Sequence, residues 1–202
     1  MKVLLGIFVV TYALSAAPVT PVTLLDAGNP LVYDGAHYVG PYTVRIGGSD
    51  VPVLCIDFRD ESSLGNTWSA NLSRLNGNLR QTYVPADQVQ YKEEAYLLTA
   101  ISLPGADRID LQHAAWAIMD SHFVADKAAS QWILQAEQNY SKLDLSRYEI
   151  ISDVQRASPS RNQEFVAAVT PEPPFLQLAA GLLALAFASL GAKNRRSTKS
   201  RR

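Results

Sequence analysis

Thr82-Tyr83-Val84-Pro85-Ala86-Asp87-Gln88-Val89-Gln90-Tyr91 is where the 202-residue chain changes period. Upstream of Pro85 the apolar residues come in short β-prone runs broken by turn residues. Downstream, Val89, Ala95, Tyr96, Leu97, Leu98 and Ile101 follow a helical spacing that ends before Pro104-Gly105, with Asp87 as a fair N-cap.

Outward from that point both halves are readable. Thr20 to Leu25, Leu31 to Tyr33, Tyr38-Val39, Tyr42 to Ile46, Thr67 to Leu72 and Thr82 to Val84 read as strands. Asp34-Gly35, Gly40-Pro41 and Gly47-Gly48 between them are turn chemistry. Val51 to Phe58 is the strongest strand, apolar on both faces and so expected at the centre of a sheet. On the helical side, a second helix is expected after an Asp110 N-cap and a third over Asp126 to Tyr140. Leu143 to Ile151 carries no clear period, Ser158 to Asn162 reads as a polar linker, and Phe165 to Val169 as a last short strand. Strands first, then helices, give an α+β fold: a β-rich core, sandwich or barrel-like, with an inserted helical portion.

The formal net charge of -1 hides a segregation. All 19 acidic residues lie between Asp26 and Glu172, and seven of the 18 basic ones are Lys2 and six in the last ten positions. The remaining 11 basic residues leave the middle of the chain at -8, a poor match for nucleic acid. Residues 1–17 have an early Lys2, an apolar stretch from Val3 to Leu14 and then small residues, the layout of a signal peptide. Phe175 to Ala192 is an uncharged run of 18 residues followed at once by the basic cluster, the layout of one C-terminal transmembrane helix with a cytoplasmic basic stop.

Pro171-Glu172-Pro173, the hydrophobic run and a terminal cluster containing Arg195 and Arg196 together resemble the PEP-CTERM sorting signal of Gram-negative bacteria. The resemblance implies an exosortase-type processing enzyme as partner, transient membrane anchoring, and a mature protein at the cell surface or in an exopolysaccharide or biofilm matrix. The expected organisation is a signal peptide over 1–17, an exported domain over 18–157, a linker over 158–170 and the sorting signal over 171–202.

Catalytic templates fail: there is no Gly-x-Ser-x-Gly, glycine-rich phosphate loop or His-Glu-x-x-His. One cysteine excludes an internal disulfide and any multi-cysteine metal site, so neither metal nor cofactor is expected. Cys55 itself has three readings: a small buried hydrophobe, a hydrolase nucleophile with His113 or His122 as base, or a third suggested by its neighbours. Leu54-Cys55-Ile56-Asp57 on a strand and Leu111-Gln112-His113-Ala114-Ala115-Trp116 opening a helix resemble the two motifs of the thioester domain of bacterial surface adhesins. Ala115 departs mildly from the bulkier aliphatic residue common there.

That resemblance implies an acyl bond between the Cys55 sulfur and the Gln112 side chain, with Asp57 and Trp116 in support. Backbone N–H groups at a helix start near Gln112 are expected to meet the oxyanion, and Trp116, one turn on, to wall off water. The function implied is covalent attachment, without turnover, to a polysaccharide or a protein amine of a surface or matrix. The rival expectation is a structural or carbohydrate-binding matrix protein with an inert cysteine, in which exposed Tyr38, Tyr42 and Trp68 stack on sugar rings.

Overall fold

Six antiparallel strands close into a barrel in the computed structural model, which describes residues 19–28, 30–84, 88–158 and 160–169. The signal peptide, the hydrophobic run and the sorting tail lie outside those residues. The chain divides into units Met1–Ala168 and Val169–Arg202, and of the second only Val169 is described. Among the described residues no helix is long and apolar enough to cross a membrane.

The strands are β1 (Thr20–Asp26), β2 (Val32–Tyr33), β3 (Tyr38–Val39), β4 (Tyr42–Ile46), β5 (Ser49–Cys55), β6 (Thr67–Arg74), β7 (Tyr148–Asp153) and β8 (Phe165–Ala168). Around the barrel they run β1-β4-β5-β8-β7-β6, while β2 and β3 form a separate hairpin. Tyr42 on β4, Phe165 on β8 and Trp68 on β6 come from non-adjacent strands yet meet ring to ring, at 5.9 and 6.1 Å, because they fill the lumen. The expectation that Tyr42 and Trp68 are exposed is therefore corrected: both are buried, and only Tyr38 of the three stands half in solvent.

Three helices are inserted between β6 and β7: α1 (Gln88–Ala100), α2 (Arg108–Met119) and α3 (Lys127–Asn139). The outer faces of β5, β7 and β8 supply Leu54, Ile150 and Val166 to one core with Tyr91, Leu97, Leu111 and Ala115 of the helices. All six residues of β7 are buried, with Tyr148 and Ile150 facing the core shared with the helices.

Several local expectations differ from the structure for identifiable reasons. β5 stops at Cys55, and the chain then turns at Asp57, whose carboxylate accepts the Arg59 N–H at 3.0 Å. Thr82 to Val84 is not a strand, because the Tyr83 N–H is taken by Glu164 and the Val84 N–H by the Tyr91 hydroxyl instead of a ladder. The cap of α2 is Asp107, which accepts from the N–H groups of Ile109 and Asp110, so the helix begins one turn earlier than an Asp110 cap places it. The segment 158–170, set apart as a linker, is no mere connector: the short strand expected over Phe165 to Val169 is β8, which closes the barrel between β5 and β7.

Candidate functional site

Cys55 ends β5, and Gln112 lies in the second turn of α2, which packs across that end. Both are fully buried. The Gln112 Nε2 donates to the Cys55 carbonyl oxygen at 2.5 Å, and the Gln112 Oε1 accepts the Gly40 N–H at 3.2 Å. The carboxamide is thereby clamped at both ends beside the cysteine. With α2 starting at Arg108, the Gln112 N–H is an interior helix donor, and the backbone N–H that meets the Gln112 side-chain oxygen is that of Gly40, not one at the helix start.

Gly40 follows the β2–β3 hairpin and precedes Pro41 through a cis peptide bond. A Cβ at Gly40 would sit 3.3 Å from Gln112 Oε1 and 3.1 Å from the Tyr42 ring, so a side chain here would crowd the amide. Nothing in the local sequence of Gly40-Pro41 beyond a turn points to this contact, which joins residues far apart in the chain.

The Cys55 sulfur donates to the Asp57 carbonyl oxygen at 3.3 Å. Burial pushes the thiol up to about 12, against smaller opposing contributions from the Asp57 backbone and the nearby Trp116 indole. Asp57 thus meets the cysteine through its backbone. Its side chain is pushed up to about 7 by burial and by neighbouring Asp60, and its Oδ2 has no hydrogen-bond partner, with Arg161 3.7 Å away.

Trp116 stands one turn beyond Gln112 and is 2% exposed. Four rings enclose it: Phe58 at 5.2 Å, His37 and Phe123 each at 5.5 Å, and His113, stacked, at 5.7 Å. These rings pack the Trp116 indole tightly beside Cys55.

The structure does not bring either candidate base to the thiol. His113 Nε2 pairs with Asp34 at 3.0 Å, and His122 is mostly exposed, held by Asp120 and Arg59. Asp34 is itself informative: burial would raise it, but the His113 bond and the backbone N–H groups of His37 and Ala36 hold it down at about 2.

Above Trp116 and Tyr42 opens a groove of about 680 Å³. Tyr33, His37 and Tyr38 of the hairpin segment form one wall, and the stretch from Arg59 to Leu64 another.

No protein-family profile matches the chain. No curated protein matches it either. Among solved structures, it is similar to the N-terminal domain of the Streptococcus pyogenes pilus tip adhesin Cpa, at 12% identity and a TM-score of 0.40, over 78% of this chain and 97% of that one. At that score the likeness is distant, and the chemistry of the site rests on the geometry of Cys55, Gln112 and Gly40.

Proposed function

We propose that the body is a thioester module that attaches covalently, once per molecule, to a nucleophile of a surface or matrix. The observation that carries this is the clamped Gln112 amide against Cys55 in a fully buried site. The sulfur attacks the Gln112 Cδ, the thiol proton passes to the amide nitrogen, and ammonia leaves as the carbon–sulfur bond forms. The Gly40 N–H faces the oxygen on which negative charge develops. Trp116 and its ring shell keep water from the product, an acyl thioester more electrophilic than the amide it replaces.

The sorting tail belongs to the same proposal. An exported protein carrying Pro171-Glu172-Pro173 before an apolar run and Arg195-Arg196 fits removal of the tail by an exosortase-type enzyme and release to the surface or matrix of a Gram-negative cell. A non-turnover acyl donor is not an enzyme, and no cofactor enters the step.

Intact mass spectrometry of the purified body tests the reading. The expected mass is short by one ammonia, and methylamine adds to that species. Cys55→Ala and Gln112→Ala are each expected at full mass with no adduct. A wild-type protein of full mass whose Cys55 alkylates freely overturns the covalent reading and favours the non-covalent matrix protein.

A further inference from the structure

We propose that the groove above Trp116 presents a sugar hydroxyl to the Gln112 acyl group, with His37 as the base that takes its proton and Asp34 as the residue that positions His37. This rests on the thioester reading and names the acceptor that reading leaves open.

The groove has the chemistry of a site for a neutral, polyhydroxylated ligand. Tyr33 and Tyr38 are each half exposed on the hairpin, with ring centroids 5.5 Å apart at 58°, two faces on which a pyranose can stack through its C–H groups. Hydroxyl partners come from Ser62 and Ser63 on the opposite wall. The charges there are largely spent: Arg59 is held by Asp120 in two hydrogen bonds at 2.6 and 2.8 Å, and Asp60 pairs with Arg161. Only Glu61 is left as a free carboxylate, which suits neither a polyanion nor a strongly basic segment.

A hydroxyl needs a base at the moment of attack, whereas a free amine already carries a nucleophilic lone pair. His37 lines the groove, packs 5.5 Å from Trp116, and lies three residues before Gly40, whose N–H holds the Gln112 oxygen. Asp34 accepts the His37 backbone N–H at 2.6 Å and stands 3.6 Å from its Nδ1. A proton on Nδ1 facing Asp34 leaves the lone pair on Nε2 for the acceptor. The second histidine on Asp34, His113 at 3.0 Å, fixes the carboxylate from the helix side. Its ionised state is favoured by both contacts.

The step balances without oxidant or reductant. The sugar oxygen bonds to Gln112 Cδ, its proton passes to His37 Nε2, the carbon–sulfur bond breaks, and the imidazolium returns the proton to the Cys55 thiolate. The products are a Gln112 ester of the sugar and a free thiol. Tyr42 and Trp116 line the groove and Cys55 and Gln112 do not, so the ligand reaches the acyl group only when one of these rings moves aside.

Competition between methyl glucoside and methylamine, offered together to the full chain and read by intact mass, tests this. Wild type is expected to give the glucosyl ester as a major adduct. His37→Gln and Asp34→Asn are expected to lower the ester-to-amide ratio at least tenfold, a partition that a merely structural role would not move. Tyr38→Ala, at a half-exposed position, is expected to raise the glucoside concentration needed for half-maximal ester several-fold. An ester-to-amide ratio unchanged in the His37 and Asp34 variants, or a wild type that forms only the amide, overturns the proposal. A wild type of full mass that takes neither probe overturns the thioester reading and this proposal together, so the two failures are told apart.

Discussion

Glu164→Ala is expected to lower the free energy of unfolding by about 3–5 kcal/mol. Glu164 precedes β8 and is 1% exposed. Its Oε2 accepts the Tyr91 hydroxyl of α1 at 2.7 Å, and its Oε1 accepts the Tyr83 N–H at 2.9 Å and the hydroxyl of Ser152 on β7. One carboxylate thus ties the first helix, the irregular segment before it and two strands. Truncation leaves the two buried hydroxyls and the part-buried Tyr83 N–H without their acceptor, each costing up to about 1–3 kcal/mol, and a cavity besides. Urea titration of the variant reads the loss. A midpoint within experimental error of wild type would show that water replaces the carboxylate freely. Glu164→Gln keeps the acceptor oxygen and is expected to cost about half as much.

Glu94 sets the second expectation, a dependence of stability on pH. It is fully buried on α1, and neither carboxyl oxygen has a hydrogen-bond partner. Burial, with a smaller contribution from Glu93, raises its pKa well above the ordinary 4.5. In the unfolded chain it ionises near that ordinary value, whereas in the folded protein it ionises only at higher pH. Between the two values the folded state holds one proton more, so stability is full below the unfolded pKa and falls as pH rises, by about 1.4 kcal/mol per unit. Glu94→Gln removes that dependence. Between about pH 5 and about pH 7 the variant is expected to gain stability relative to wild type, at no more than about 1.4 kcal/mol per unit. Urea midpoints at both pH values check it, and parallel profiles for the two proteins would refute it.

Local chemistry made much of this fold readable. Asp126 and the spacing of Ala129, Trp132, Ile133 and Ala136 place α3 within one residue at either end. The apolar run through Val53, Leu54 and Cys55 marks β5, and Phe165 to Val169 marks β8. What stayed hidden depends on partners distant in sequence. Tyr83 is β-prone, but its N–H goes to Glu164 and its hydroxyl to the Asn162 carbonyl, contacts no window around residue 83 can show. Trp68 looks like a surface platform until Phe165 and Tyr42 arrive from other strands to enclose the lumen. For the site, Cys55, Gln112 and Trp116 were nameable from two short motifs, and the structure places all three together. Gly40, Asp34 and His37 were not, because they meet Gln112, His113 and Trp116 from far along the chain and their residue types are those of any turn.

The position of β8 bears on the order in which the molecule can be assembled. A chain that emerges amino end first delivers β1, β4, β5 and β6 early, then three helices, then β7. Until Phe165–Ala168 appears, β5 and β7 each present a row of unpaired N–H and C=O groups. Without that four-residue stave the cylinder cannot close, and it is the last strand before the tail begins. Closure is thus a report that the whole domain has emerged. Any processing of the tail that waits for a sealed barrel would act only on chains whose body is finished.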